Sequence, residues 1–270
     1  MNAPKPITSL TNDRVKAIRA LEMRKVRKET GLFVAEGASL LVTARDNGFV
    51  PETLVYQAGT AASGITRGLV THALNAGSEV LEVSEAVLAK LASKDNPQTV
   101  LGVFRQRFAV SPDPAEIGAG ETWLALEEIR DPGNLGTIIR TADAVGCAGV
   151  ILVGTICDPY SLETIRATMG SIFAMPIVKM ERPAFLELAK AWRGDVIGTH
   201  LDARDDFRAS DYTGPQLIVM GSEGPGLSSG AAAVCTNLVK IPMAGKLDSL
   251  NLAIATALML YQVRGPQLKL

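Results

Sequence analysis

The stretch TWLALEEIRDPGNLGTIIRTADAVG, residues 122–146, predicts a buried strand, a polar loop and an amphipathic helix in succession. TWLALEEI is largely apolar, as in a strand that is covered on both faces of a parallel sheet. Apolar residues then recur at the spacing of one helix face, at Leu135, Ile138, Ile139, Ala142 and Val145, before Gly146. The stretch therefore predicts one strand-helix unit of an α/β fold.

The same alternation continues through the second half of the chain. Apolar strands are predicted at 150–153, 196–199, 217–220 and 238–241, and helices near 162–169, 184–193, 228–235 and 249–263. Because parallel strands need crossover connections, this order predicts an open parallel sheet with helices on both faces. Ligands of such sheets bind in the loops beyond the carboxyl ends of the strands.

The first half predicts a second, smaller unit. Strands are expected at 32–37, 53–56, 79–83 and 100–105, and helices at 38–47 and 84–91. Proline and glycine are dense over 111–120, which is typical of a linker. We therefore predict an α/β sandwich domain over 1–106, a linker over 107–120 and a parallel-sheet domain over 121–270.

Positive charge is concentrated near the N-terminus, although 27 Lys+Arg and 28 Asp+Glu give the whole chain a net charge of −1. One amphipathic helix is predicted after Asn12, with Val15, Ile18 and Val26 on its apolar stripe. Its outer face is expected to carry Arg14, Lys16, Arg24, Lys25, Arg27 and Lys28. Two interpretations stay open: a solvated helix face, or a face that contacts nucleic-acid phosphates.

Cysteine and histidine usage argues against several classes of site. The three cysteines form no C-x-x-C pair and there are only two histidines, so neither a disulfide framework nor a zinc site is expected. No acidic metal cluster is present either, and we expect no metal. The apolar stretch 252–263 is shorter than the roughly 20 residues that span a bilayer. We predict a soluble cytoplasmic protein with no membrane partner.

Three loops of the second half carry candidate functional residues. Asn134 and Arg140 follow the first strand, Glu223 lies in GSEGPGL (221–227), and Asn251 ends IPMAGKLDSLN (241–251). Each has a structural alternative: Asn134 as a helix N-cap, Glu223 as a carboxylate that compensates a helix dipole, and Asp248 or Ser249 as the cap of the last helix. The P-loop and dinucleotide-binding glycine patterns are absent, which argues against an ATPase or an NAD enzyme.

Taken in order, the three loops resemble the motifs of the SpoU, or TrmH, family of S-adenosylmethionine-dependent RNA 2′-O-ribose methyltransferases. The matching segments are NLGTIIRTA (134–142), GSEGPGL and IPMAGKLDSLN. SLETIRATMGSIFAMPI (161–177) is similar to a further family segment, with Thr168 where serine is usual. ITSLTNDRVKAIRAL and LFVAEGASLL resemble the L30e-like substrate-binding domain of members that modify large-subunit ribosomal RNA.

The resemblance implies a fold and an assembly that local patterns do not predict. The C-terminal sheet is expected to contain a trefoil knot that forms the cofactor pocket. Two copies are expected to form a homodimer, with active sites near the subunit interface. S-adenosylmethionine is expected to contact the knot loops, largely through backbone groups, at Thr199, Gly221, Ile241, Met243 and Leu250.

The resemblance also implies catalytic roles. Arg140 is expected beside the acceptor ribose, either as a base or as a cation that stabilises the developing alkoxide. We favour the cation, because an arginine pKa above about 12 leaves little neutral guanidine. Asn134 and Asn251 would orient Arg140 and the substrate, Ser249 would support them, and Glu223 would position its loop.

Ribosomal RNA, most simply 23S ribosomal RNA, is the substrate that this resemblance implies. A transfer RNA methyltransferase is one alternative, and a non-catalytic RNA-binding or ribosome-assembly protein on the same fold is another. The non-catalytic protein should lack Arg140, Asn134 or Asn251, and this sequence has all three.

Overall fold

The computed structural model describes residues 3–62, 64–92, 98–209, 211–246 and 249–269. Its contacts divide the chain into two compact units, and each unit has its own sheet. Unit 1 comprises Met1–Gln106 and Tyr160–Ala174, and unit 2 comprises Arg107–Pro159 and Met175–Leu270.

The elements of the first half are β1 (Lys5–Ile7), α1 (Asp13–Ala20), α2 (Arg24–Thr30), β2 (Leu32–Glu36), α3 (Ala38–Asp46), β3 (Thr53–Gln57), α4 (Gly64–Asn75), β4 (Glu79–Val83), α5 (Glu85–Leu91) and β5 (Val100–Arg105). Those of the second half are β6 (Thr122–Glu127), α6 (Pro132–Ala144), β7 (Gly149–Val153), α7 (Leu162–Thr168), β8 (Ile177–Met180), α8 (Arg182–Lys190), β9 (Asp195–Thr199), β10 (Asp205–Asp206), β11 (Gln216–Met220), α9 (Ser229–Val234), β12 (Asn237–Lys240) and α10 (Leu252–Arg264).

Unit 1 contains a five-stranded mixed sheet in the order β1-β4-β3-β5-β2. The β1–β4 and β3–β4 pairs are parallel, whereas β5 pairs antiparallel with both β3 and β2. The four strands predicted for the first half are confirmed, whereas β1 and α4 were not predicted. In the second half, the short strands β8 and β10 were not predicted either. Apolar residues of α1 and α5 pack with the sheet, among them Val15, Leu88 and Leu101.

The prediction of one helix after Asn12 was wrong, because two helices are present. Asn12 caps α1 by accepting a hydrogen bond from the backbone N–H of Arg14 at 2.8 Å. Arg27 is only 5% exposed, and its Nη1 donates to the carbonyls of Leu21 and Glu22 at 2.7 and 2.8 Å. These carbonyls lie just after α1 ends and need hydrogen-bond donors. The side chain of Arg27 therefore points toward the end of α1 and not, as predicted, into the solvent.

An aromatic cluster joins the segment Tyr160–Ala174 to unit 1. The ring of Phe33 lies 4.6 Å from that of Tyr160, and the ring of Phe173 lies 5.2 Å from that of Phe104, centroid to centroid. An ion pair at 2.8 Å also links Arg166 of α7 to Glu36 of β2. The linear division at 106 and 121 stays a prediction, but it assigns this segment to the second domain, whereas the contacts assign it to unit 1.

Unit 2 contains a seven-stranded, all-parallel sheet in the order β10-β12-β9-β11-β6-β7-β8. Helices α8 and α9 pack on one face, where Phe185 and Ala231 lie against Ala125 and Val219. Helices α6 and α10 pack together and against β7 and β11. The predicted open parallel sheet with helices on both faces is confirmed. The trefoil knot stays a prediction, because the strand order shows which strands pair and does not show whether the chain passes through one of its own loops.

We expect Phe173→Ala to destabilise the protein by about 3–5 kcal/mol, because it removes a buried ring from the centre of the aromatic cluster. Denaturant or thermal unfolding measures this change. Phe108→Ala is the control, since Phe108 is 41% exposed and its loss should cost much less. Equal effects of the two substitutions would show that Tyr160–Ala174 does not contribute to the core of unit 1.

Candidate active site

The carboxyl ends of β6 and β11 lie side by side at the centre of the parallel sheet. Their register pairs Leu126 with Met220 at the last step before the two loops. Strands β7 and β8 lie beyond β6 on one side of this pair, and β9 and β12 lie beyond β11 on the other side. The strand order therefore changes direction here, which is where open α/β sheets bind ligands.

A chain of side-chain hydrogen bonds connects the three predicted loops. Asn134 Nδ2 donates to Glu223 Oε1 at 3.1 Å, and Asn251 Nδ2 donates to Asn134 Oδ1 at 3.0 Å. The second carboxylate oxygen of Glu223 accepts from the backbone N–H of Arg130 at 3.2 Å. We call this set of contacts the amide relay. It holds together residues that are far apart in the sequence.

The capping roles differ from the structural alternatives considered above. Asp131, not Asn134, caps α6, and its Oδ1 accepts from the backbone N–H of Asn134 at 2.6 Å. Asn251 caps α10 by accepting from the N–H groups of Ala253 and Ile254. The alternative in which Ser249 caps the last helix therefore does not apply, and Asp248 lies outside the described residues. Because the cap uses only the amide oxygen of Asn251, its Nδ2 remains able to donate to Asn134.

A cavity of about 610 Å³ opens beside the amide relay, a volume typical of small-molecule sites. Its lining contains all five residues predicted to contact the cofactor, Thr199, Gly221, Ile241, Met243 and Leu250. The lining also contains four of the five residues predicted to be catalytic, Asn134, Glu223, Ser249 and Asn251. The structure thus brings nine predicted site residues to one cavity.

The glycine-rich loop exposes its backbone to this cavity because it folds tightly on itself. Ser222 and Gly226 exchange two backbone hydrogen bonds of 3.1 Å. A Cβ atom on Gly221 would lie 2.0 Å from the carbonyl carbon of Gly226, so no other residue fits there without moving the loop. Gly224 and Gly226 have φ angles of 100° and 73°, which glycine adopts at little cost.

Arg140 does not join the cavity in one chain. It is exposed on α6, it is absent from the cavity lining, and its side chain has no hydrogen bond or ion pair with the described residues. Six residues of helix separate it from Asn134, which is about 9 Å along the axis and about 240° around it. Asn134 and Asn251 bind each other and Glu223 within one chain, and the expectation that they orient Arg140 stays a prediction.

Several lining residues were not among the predicted site residues. His200, Asp202 and Lys240 line the cavity near the carboxyl ends of β9 and β12. Met220 also lines it, and its Sδ lies 3.6 Å from Thr199 Oγ1. His200 and Asp202 follow a predicted strand, and Met220 and Lys240 lie near the carboxyl ends of two others. These positions were the available signal, but single residues at strand ends are too common to be singled out.

The cysteines do not supply a nucleophile. Burial raises the pKa of the Cys157 thiol to about 12, and the nearby Glu223 carboxylate adds to the rise. Burial likewise raises the pKa of Cys147 and of Cys235 to about 12. A thiol with so high a pKa stays protonated at neutral pH, and only the thiolate is strongly nucleophilic.

The described residues contain no candidate metal site and no candidate membrane-spanning helix. Over residues 3–62, 64–92, 98–209, 211–246 and 249–269, no group of three or more His, Cys, Asp or Glu side chains is arranged to hold a metal ion. None of the helices that the structure describes has both the length and the apolar composition that crossing a bilayer requires.

The predicted phosphate-contacting residues lie in unit 1. Arg14 pairs with Glu79 at 3.3 Å, Lys16 with Asp13 at 3.2 Å and Lys25 with Glu29 at 3.9 Å. All three basic side chains remain more than half exposed. Arg24 and Lys28 are also exposed, whereas Arg27 is buried.

Comparison with known proteins identifies both halves of the chain. Residues 121–261 match the SpoU rRNA Methylase family, and residues 12–102 match an MRM3-like substrate binding domain. A tRNA/rRNA methyltransferase of Synechocystis is 35% identical over 97% of this chain and 94% of its own length. The 23S rRNA (uridine(2479)-2′-O)-methyltransferase of Streptomyces viridochromogenes is 31% identical over 88% of this chain and 84% of its own length.

A solved structure agrees with this match. The AdoMet-bound rRNA methyltransferase from Sinorhizobium meliloti is 46% identical, with a TM-score of 0.90, and the match covers 98% of this chain and 99% of that one. This chain therefore shares its fold over nearly its whole length with a solved rRNA methyltransferase. The chain belongs to the SpoU rRNA methylase family.

Proposed function

We propose that this chain transfers the methyl group of S-adenosylmethionine to a ribose 2′-hydroxyl of 23S ribosomal RNA. The observation that carries the proposal is the cavity of about 610 Å³, in which the predicted cofactor residues and the amide relay meet. Two relatives support the substrate: the Streptomyces viridochromogenes enzyme and RlmP of Bacillus subtilis are both named as 23S rRNA 2′-O-methyltransferases.

The residues of the cavity fit S-adenosylmethionine. Exposed backbone groups of the loop from Gly221 to Gly226 can bind the polar edge of an adenine, and Ile241, Met243 and Leu250 offer apolar contact to its faces. A side chain on Gly221 would collide with the loop, so the backbone is the part of this loop that is available. When bound, the cofactor supplies an electrophilic methyl group on a sulfonium.

The amide relay acts by positioning rather than by proton transfer. Asn134 has no titratable group, and its two amide ends hold Glu223 on one side and Asn251 on the other. Glu223 uses one oxygen for Asn134 and the other for the backbone of Arg130. We call residues 128–134 the acceptor loop and residues 221–228 the cofactor loop. Holding these two loops in a fixed relative position supplies much of the rate advantage of a two-substrate reaction.

We assign the electrostatic role to Arg140 within a homodimer. Helix α10 exposes an apolar stripe at Ile254, Leu258 and Tyr261, which are 53%, 40% and 53% exposed and share one helix face. Helix α6, which carries Arg140, packs beside α10. A second copy covering this stripe would remove water around Arg140 and strengthen its effect on a developing alkoxide.

The exposed basic residues of α1 and α2 are proposed to bind RNA phosphates. Lys25 and Lys28 lie on α2 and point into solvent, and Arg14, Lys16 and Arg24 add to the same segment. Phosphate contacts of this kind give affinity and register without reading sequence. Cytoplasmic localisation stays a prediction.

Incubation with tritiated S-adenosylmethionine and 23S ribosomal RNA, followed by nuclease digestion, should yield a labelled 2′-O-methyl nucleoside. We expect Arg140→Ala to lower this activity roughly a hundredfold to a thousandfold, the usual effect of losing one transition-state donor. Arg140→Lys should not restore it, because an ammonium lacks the planar fork of guanidinium. Both variants should keep the wild-type melting temperature and cofactor affinity, since the side chain of Arg140 is exposed and has no partner among the described residues.

Arg193→Ala is the matched control, because Arg193 is exposed in unit 2 and lies before the amino end of β9, whereas the cavity lies at the carboxyl ends of the strands. Near-normal activity in a folded Arg140→Ala protein would exclude Arg140 from the reaction. Label in transfer RNA alone would contradict the proposed substrate.

The amide relay can be tested by exchanging its donor and acceptor. Asn134→Asp places a carboxylate against Glu223, and the resulting repulsion should lower kcat by about tenfold or more. Adding Glu223→Gln should recover most of that loss, because the pair then again contains one amide and one carboxylate. Steady-state kinetics of the two single variants and the double variant measure the effect. Losses that simply multiply would show that the Asn134–Glu223 contact does not matter for catalysis.

Changing Lys25 and Lys28 together to Ala should weaken RNA binding and reduce the slope of log K against log salt by about two units. Filter binding over a series of salt concentrations measures the slope. Arg27→Ala should behave differently, lowering the melting temperature and leaving the slope unchanged. The reason is that the buried guanidinium of Arg27 donates hydrogen bonds to two backbone carbonyls. An unchanged slope for the double variant would favour a solvated helix face.

A further inference from the structure

A buried carboxylate outside the amide relay lies at the end of strand β6. Glu127, the last residue of β6, is only 2% exposed and does not line the cavity. Its Oε1 accepts from Arg182 Nε at 2.8 Å and from Ser228 Oγ at 2.7 Å. Its Oε2 accepts from the backbone N–H of Ser228 at 2.8 Å. The carboxylate is thus bound by a cation and by the residue that follows the glycine-rich loop.

Glu128, the next residue, binds the same guanidinium. Its Oε1 accepts from Arg182 Nη2 at 2.6 Å, and its backbone is left-handed, with φ of 53°. Consecutive residues of a strand point to opposite faces, so two neighbouring carboxylates do not normally reach one cation. The left-handed conformation breaks this alternation at Glu128. Because residues with a Cβ atom rarely adopt this conformation, the contact with Arg182 helps to hold it.

These contacts, which we call the Arg182 clamp, hold the bases of two loops. Glu128 begins the loop that leads through Arg130 to Asn134, and Ser228 ends the loop that contains Glu223. Ser228 also caps α9, since its Oγ accepts from the backbone N–H of Ala231 at 3.2 Å. The amide relay joins the same two segments a second time, because Glu223 accepts from the backbone of Arg130 and from the side chain of Asn134. Each loop is therefore held at two points.

We propose that Arg182 is a positioning residue for methyl transfer, which sets the acceptor loop and the cofactor loop relative to each other through Glu127, Glu128 and Ser228. The inference rests on the proposed function, because it assigns the clamp a role in that reaction. A guanidinium offers two separate N–H edges to two carboxylates, whereas a lysine ammonium cannot meet both with the same geometry.

We expect Arg182→Lys to lower kcat by about ten- to a hundredfold while the KM values change much less, because misplaced loops slow the chemical step. Lys190→Ala is the matched control, since it breaks an exposed ion pair with Glu187 on the same helix. Should Arg182→Lys fold poorly, Glu128→Gly keeps a residue suited to the left-handed backbone and removes one arm of the clamp, and it should show a smaller loss of kcat.

Two further measurements separate positioning from general destabilisation. Hydrogen exchange of the amides in 128–134 and 221–228 should be faster in Arg182→Lys and unchanged in Lys190→Ala. In combination with Asn134→Ala, the loss of kcat should be smaller than the product of the single losses, because both residues act on the same pair of loops.

Unchanged exchange in the two loops, wild-type kcat in a folded Arg182→Lys protein, or losses that multiply would each overturn the proposal. Absence of methyl transfer by the wild-type protein would instead contradict the proposed function. Loop exchange would then still decide whether the clamp holds the two loops.

Discussion

Parallel pairing of β6 with β11 is the constraint on which the site depends. It brings the loops after these strands together, so that Asn134 and Glu223, 89 residues apart in the sequence, lie within hydrogen-bonding distance. The strands themselves are buried on both faces and cannot shift register without moving their apolar side chains. A rigid sheet centre thus supports loops whose positions matter for chemistry.

Several site residues satisfy two structural demands at once. Asn251 caps α10 with its oxygen and supports Asn134 with its nitrogen. Ser228 caps α9 with its oxygen and donates to Glu127. Helix starts need acceptors for their free N–H groups, and the loops need fixed donors, so one polar side chain serves both. A substitution at either residue would affect a helix end and the site together.

Unit 1 shows how far a core can depend on distant sequence. Its aromatic cluster includes Tyr160 and Phe173, which follow β5 by more than fifty residues and come after two strands of unit 2. The buried Glu36 also receives its cation, Arg166, from this segment. Because these contacts close a long loop, the core of unit 1 is complete only when the later segment is in place.

The sequence by itself determined the strands and helices with strong periodicity, the α/β class and the family motifs, because each of these is recorded in neighbouring residues. It also indicated which residues would line the cavity, since the motifs place them at strand ends. Only the tertiary structure decided that Arg27 is buried, that Asn134 binds Glu223, that Arg140 lies away from the cavity in one chain, and that 160–174 packs in unit 1. Each of these outcomes depends on partners brought close by packing or on the exact course of a helix, and local spacing contains neither.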